Sequence, residues 1–114
     1  MEDCIFCKIV KGDIPSIPVY ETETVLAFDD IHPMAPVHTI IIPKEHVATL
    51  MDVTAANSGL LTDLTQAVQE VARIKGIERS GFRTVVNTLK DGGQVIFHLH
   101  IHVLGGKQLS DDMG

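Results

Sequence analysis

The 114-residue sequence predicts an α+β domain built on an antiparallel sheet. Two observations carry this. First, residues 54–75 repeat Leu60, Leu61, Leu64, Val68, Val71 and Ile74 at three- and four-residue spacing, the pattern of one long amphipathic helix. Second, short β-branched runs lie on both sides of that helix, and nothing alternates in the strand–helix–strand order that a parallel sheet demands. The length suits one domain with one core, spanning 1–114.

Taken in order, Ile5, Phe6, Ile9 and Val10 make a short one-sided helical turn that Gly12 stops. Pro15 and Pro18 force an extended segment, and Val19-Tyr20-Glu21 reads as a strand. A turn at 22–24 leads into a second strand over 25–29. Pro33 and Pro36 mark a loop before the β-branched run 37–42, a buried strand that Pro43 ends. Residues 45–51 suit one or two irregular helical turns. The long helix takes Thr54 as N-cap and Gly76 as its stop. Its apolar stripe is core packing. Residues 82–87 form a fourth strand, the Asp91-Gly92-Gly93 loop follows, and 97–104 form the last.

Composition narrows the function. Nine basic against 15 acidic residues give a net charge of −6, which argues against binding a nucleic-acid polymer, since that rests on Lys and Arg neutralising phosphates. One small phosphate ligand remains within reach of local dipoles and a few histidines. Acids precede any apolar stretch at the N-terminus, unlike a secretory signal. No run of about 18 apolar residues exists to cross a membrane. Two cysteines are too few for a disulfide framework, so a cytoplasmic protein with reduced thiols is expected.

The strongest chemical signal is His98-Leu99-His100-Ile101-His102-Val103. With a side-chain period of two, the histidines share one face of a strand and the apolar residues the other. Neighbouring histidines would stand about 6.6 Å apart at Cα and the outer pair about 13 Å. Two neighbours can address one phosphate or metal, whereas all three on one ion would need a strong bend, so the row divides between two adjacent places. Neutral imidazole attacks phosphorus well and leaves readily, and its pKa lets a neighbour protonate a departing amine or alkoxide. Chance surface histidines and a pure metal site are the alternatives. Gly92-Gly93-Gln94 just before the row could form an anion nest of successive N–H groups, or a plain turn. No P-loop lysine motif is present.

Cys4-x-x-Cys7 suits two thiolates on one zinc, with His46 and His98 as preferred further ligands. The competing readings are two free thiols with Cys7 in the core, and a redox pair, which should open a βαβ unit absent here. In Asp29-Asp30, one carboxylate could accept both hydroxyls of a ribose.

These blocks resemble the histidine triad family over essentially the whole chain. The resemblance rests on Cys-Ile-Phe-Cys-Lys-Ile, Ala-Phe-Asp-Asp-Ile, Ile-Ile-Pro-Lys-Glu-His, Val-Val-Asn, Gly-Gly-Gln and the His-x-His-x-His run. Gly105-Gly106 after the triad is similar to the Hint branch, the adenosine phosphoramidase type. The resemblance implies an antiparallel sheet of about five strands with one long and one short N-terminal helix, forming a homodimer by sheet extension. It implies cleavage of purine nucleoside 5′-phosphoramidates or acyl-adenylates, derivatives of AMP or GMP, through a nucleotidylated histidine. His100 would be the nucleophile, its tautomer fixed by a backbone carbonyl, and His102 would bind phosphate or leaving group. His98 and His38 would support them. Asp30 would hold the ribose. Ile5, Phe6, Ile9, Phe28, Ile31 and Ile40 would line the base and ribose pocket, with Asn87 and Gly93 near the phosphate. A structural zinc would sit on Cys4, Cys7, His46 and His98, and catalysis would need no cofactor. Val95 stands where the branch usually has Ser, leaving only a backbone N–H for the phosphate. The chain contains no Trp, whereas many relatives continue into a Trp-Pro-Pro-Gly tail that reaches the partner's site. Two other functions compete: a nucleotide-binding regulatory protein with little turnover, and a dinucleoside polyphosphate hydrolase.

Overall fold

The structure is a computed structural model and describes residues 3–112. Met1 and Glu2 of the N-terminal reading lie outside the described residues, as do Met113 and Gly114. A short helix α1 (Ile5–Lys11) precedes strands β1 (Pro18–Glu21), β2 (Val25–Asp29) and β3 (Val37–Pro43). The long helix α2 (Gly59–Ile74) leads to β4 (Phe82–Val85) and β5 (Ile101–Gly105). The strands form one antiparallel sheet in the order β1-β2-β3-β5-β4. This is the expected α+β architecture. No helix among the described residues is long and apolar enough to cross a membrane.

Strand alternation separates two apolar layers. Val25, Ala27, Ile41, Leu99 and Val103 face α2 and pack on Leu60, Leu64, Ala67 and Val71. Leu26, Phe28, Ile40 and Ile42 point the other way, where Phe6 of α1 covers them with Ile9 and Val10. The sheet centre is therefore buried on both faces, as its near-continuous β-branched sequence requires.

α1 begins where Cys4, in extended conformation, accepts the Cys7 N–H at 3.3 Å, and ends at Gly12 with φ +84°. α2 closes at Gly76 with φ +71°: the Gly76 N–H bonds Arg73 O and the Ile77 N–H bonds Ala72 O, a Schellman closure that drops Ile77 into the core.

Four expectations need correction. Thr54 does not cap the long helix. It caps a single 3-10 turn, Ala55–Asn57, in which the Asn57 carboxamide oxygen accepts the Thr54 N–H in return. These reciprocal bonds satisfy the turn locally, and α2 starts only at Gly59. In the helical stripe, Leu61 and Ile74 are 45% and 55% exposed, and Ala67 and Ala72 are buried instead. Small side chains let the helix approach the sheet closely. The last strand starts at Ile101 rather than 97. Pairing runs from Val37↔Gly105 to Ile41↔Ile101 and would next reach Pro43, which has no N–H. The Leu99 N–H turns instead to Val47 O at 2.7 Å. β4 likewise stops at Val85, short of the expected 87.

We expect Leu64→Ala to lower unfolding free energy by about 2–5 kcal/mol through a core cavity, and Leu61→Ala by less than about 1 kcal/mol. Urea denaturation of both variants measures this, and equal losses would contradict the assigned faces.

Candidate active site

The register sets His38 opposite Leu104 and Ile40 opposite His102, making His38 and His102 diagonal neighbours on the α1 side of the sheet. Their ring nitrogens meet, Nε2 of His38 to Nδ1 of His102, at 2.9 Å. The Met34 backbone N–H donates to His38 Nδ1 at 3.0 Å. A main-chain N–H can only donate, so Nδ1 of a neutral His38 is the acceptor and its proton sits on Nε2. His38 then donates to His102 Nδ1, which places the His102 proton on Nε2. One backbone amide thus fixes two tautomers in series. Asp30 Oδ2 lies 3.5 Å from His38 Nε2.

His100 is fixed from the other direction. Its Nδ1 lies 2.7 Å from the His98 carbonyl oxygen, which can only accept. The proton is therefore on Nδ1, and Nε2 carries a free lone pair. The ring is buried, edge-on to Phe6 with centroids 5.1 Å apart and to His102 at 5.0 Å.

His98 is fully buried. Its Nε2 lies 2.8 Å from Pro43 O, so Nε2 holds the proton and Nδ1 faces the cysteines, 3.2 Å from Cys4 Sγ and 3.5 Å from Cys7 Sγ. His46 Nδ1 is 3.2 Å from Cys7 Sγ. The donor atoms of Cys4, Cys7, His46 and His98 all lie within 4.8 Å of one another. Tetrahedral zinc, with bonds of about 2.3 Å to sulfur and 2.0 Å to nitrogen, sets sulfur and nitrogen about 3.5 Å apart. The cluster is thus a donor set that could hold a metal with small adjustments. Burial pushes the Cys7 thiol up, and Cys4 adds to this. Asp30, His38 and His102 also cluster within 4.8 Å, but the hydrogen bond between the two rings already uses the nitrogens an ion would need.

The histidine row therefore divides between two places. His98 joins the cysteines, His102 joins His38 and Asp30, and His100 stands between.

The HIT domain family matches residues 11–109. The chain belongs to the HIT family. An uncharacterised HIT-like protein of Synechococcus elongatus is 47% identical over 109 residues, 96% of this chain and 95% of that protein. The purine nucleoside phosphoramidase of Escherichia coli K12 is 41% identical over 108 residues, 95% of this chain and 91% of that protein. Among solved structures, a HIT family hydrolase from Clostridium thermocellum superposes with a TM-score of 0.96 at 43% identity, covering 99% of this chain and 98% of that one.

Within this HIT domain, Phe6, Phe28 and Ile40 form one apolar cluster beside the triad, with Ile9 packed against it. Ile5 is exposed, and Ile31 is 86% exposed at the start of the loop after β2. Asp30 Oδ1 accepts the His32 N–H at 2.8 Å. Its neighbour Asp29 is a clasp: Thr39 Oγ1 and Lys75 Nζ donate to its two oxygens at 2.8 and 2.7 Å, tying the end of α2 to the sheet. Burial would raise the Asp29 carboxyl, but these bonds outweigh it and hold it below its ordinary value.

The proposed anion nest does not stand free. The Gly93 N–H bonds Lys90 O and the Gln94 N–H bonds Leu89 O, so two of its three donors close a tight turn. Gly92 is packed there so closely that a Cβ would meet Thr88 O at 2.4 Å. Asn87 staples the turn, donating from Nδ2 to Gly92 O at 2.7 Å. Val95, 85% exposed, lines a cavity with Cys4, Ile5 and His46 rather than the one containing His102.

That second cavity, about 380 Å³, contains His38, His102 and Asn87 together with Arg83 and Lys107, which sequence reading missed. Arg83 lies on the His102 face because β4 pairs Arg83↔Leu104 and Val85↔His102. Only the strand order reveals this. Arg83 also donates to Ser110 O at 2.6 Å, holding the C-terminal segment against the sheet.

Burial, then the neighbouring His100 and His38, pull His102 down to about 4, with Asp30 opposing. Burial also lowers His98. An unfolded imidazole titrates near 6.5. Between those values the unfolded chain binds more protons, so this stability is present above about pH 6.5 and is lost as pH falls toward 4. We expect the denaturation midpoint to drop between pH 7 and pH 5 and the drop to shrink in His102→Gln. An identical drop in the variant would refute the assignment.

Proposed function

We propose that this protein cleaves purine nucleoside 5′-phosphoramidates or acyl-adenylates through a nucleotidylated histidine. The observation that carries the reading is the 2.7 Å bond between His100 Nδ1 and His98 O, which leaves Nε2 unprotonated and nucleophilic. That lone pair attacks phosphorus, an Nε2–P bond forms, and either the P–N bond breaks, with the amine taking up a proton, or the P–O bond breaks and the acyl group leaves as a carboxylate. Water then attacks phosphorus and gives up its proton to His102, the Nε2–P bond breaks, and a nucleoside 5′-monophosphate leaves. His102, with its proton on Nε2, donates to a phosphate oxygen or the leaving group, and His38 holds it in that tautomer. Asp30 takes the ribose hydroxyls. Phe6, Ile9, Phe28 and Ile40 receive the base, with Ile5 and Ile31 at the rim. Asn87, in the cavity with His102, would face the phosphate, whereas the Gly93 N–H is used within its turn and Val95 lines another cavity. The Escherichia coli relative, named a purine nucleoside phosphoramidase, supports this substrate class.

Cys4, Cys7, His46 and His98 would hold zinc. Four protein ligands leave no open position, so its contribution is structural and catalysis needs no cofactor. A homodimer formed by sheet extension would use one of the two edge strands, β1 or β4. Thiols kept as metal ligands suit the reducing cytoplasm.

Hydrolysis of adenosine 5′-phosphoramidate by the parent and by His100→Ala tests the reading. Turnover should fall by at least about a thousandfold in the variant while AMP affinity changes less than about threefold. Equal turnover would remove His100 from its role. Faster cleavage of a dinucleoside polyphosphate by the parent would move the substrate class. Metal analysis should find about one zinc per chain, and free thiols with no metal would remove the zinc.

A further inference from the structure

We propose that the Cys4, Cys7, His46 and His98 cluster positions the nucleophile: metal held there fixes the His98 carbonyl that takes the Nδ1 proton of His100. This rests on the functional reading above and extends it to residues that touch neither substrate nor His100 Nε2. Cys4, Cys7 and His46 are then positioning residues.

Three physical routes connect the cluster to His100. The first is the main chain at His98. Its carbonyl accepts from His100 Nδ1 at 2.7 Å, yet no sheet ladder holds this segment, because β5 begins only at Ile101. What holds it is the His98 ring, through Pro43 O and the two thiols. The second is the Leu99 N–H bond to Val47 O, the residue directly after His46. The cluster therefore grips both sides of the one backbone contact that anchors the segment. The third is Phe6, which lies between the two cysteines on α1 and meets the His100 ring edge-on. With the metal gone, the thiol–imidazole contacts are weak hydrogen bonds, and Nδ1 of His98 loses the ligand that orients it. His100 then exchanges between tautomers, and a proton on Nε2 abolishes its nucleophilicity.

The effect should fall on the chemical step and largely spare nucleotide binding, because Phe28 and Ile40 on the sheet and Asp30 are held independently of the cluster. It should also be visible without substrate, in the tautomer of His100.

The test compares the zinc-loaded parent, the parent stripped with a chelator, and Cys4→Ser. Serine still accepts the Cys7 N–H as an N-cap, so this variant loses a metal ligand while keeping the helix start. Circular dichroism checks that each is folded. The readouts are kcat and KM for adenosine phosphoramidate, AMP affinity by calorimetry, and the long-range 1H–15N spectrum of His100. In the stripped parent and in Cys4→Ser, kcat should fall about ten- to hundredfold. KM and AMP affinity should stay within about threefold, and the His100 spectrum should change from a single Nδ1–H form to a mixture. Zinc should restore the stripped parent but not the variant. Full kcat with an unchanged spectrum in folded, stripped protein would overturn the proposal. So would a parallel loss of AMP binding, which marks a merely structural cluster. If the loaded parent shows no turnover at all, the functional reading fails, and the spectra decide positioning alone: a His100 tautomer independent of zinc overturns it.

Discussion

Three main-chain groups decide what the histidines can do. A neutral imidazole has one proton and two nitrogens, and burial makes the choice between them expensive to reverse. Pro43 O takes the proton side of His98, His98 O takes that of His100, and the Met34 N–H occupies the acceptor side of His38. Each commits the opposite nitrogen. His98 is left with a ligand nitrogen, His100 with a lone pair, and His38 with a proton that passes the same constraint to His102. The functional asymmetry among chemically identical side chains is therefore written in the backbone around them.

The sheet makes those backbone groups available. β3 supplies Pro43 O at one end and His38 near the other, with Ile40 opposite His102 between them. Proline ends the ladder with β5 at the place where the chain must bend its hydrogen bonds toward side chains. A residue with an N–H at 43 would offer β5 another ladder bond and draw the segment carrying His98 and His100 into regular strand. The irregular 97–100 stretch keeps its alternation, with Leu99 in the α2 core and His98 and His100 against Phe6, while its carbonyl and amide groups serve the site. Packing and chemistry thus share one segment through its two faces.

Much of this was legible in the sequence because period-two and period-3.6 patterns report burial directly. The α2-facing row Leu99, Ile101 and Val103, the division of the histidines between two places and the Cys4–Cys7 pair follow from spacing and residue type, whereas the full set with His46 and His98 is what the family resemblance implies. What failed has common causes. Thr54 carries the right residue for a cap, but sequence does not say whether the turn it caps continues. Leu61 and Ile74 have the right spacing, but the width of a buried stripe depends on how closely a helix approaches its sheet, which Ala67 and Ala72 set. Of the two readings of Gly92 and Gly93, nest or turn, the turn holds, because it consumes its own donors. Arg83 joins the His102 cavity only because β4 pairs beside β5 rather than beside β3, a long-range fact invisible to local pattern.

Burial of His102 has a consequence for the proposed reaction. A group titrating at about 4 is protonated roughly once in a thousand at pH 7, so the resting site offers a hydrogen-bond donor rather than an acid. A bound phosphate anion within about 4–6 Å would reverse this, since opposite charge favours the protonated imidazole. Asp30 already pulls in that direction. The substrate itself would then raise the fraction of His102 present as the acid available to the leaving amine, at the moment the lone pair of His100 meets phosphorus. In the proposed reaction, proton delivery would fall on the His38–His102 pair. A leaving group that needs its proton early in bond cleavage should therefore depend on that pair more than an acyl phosphate, which departs as a stable anion.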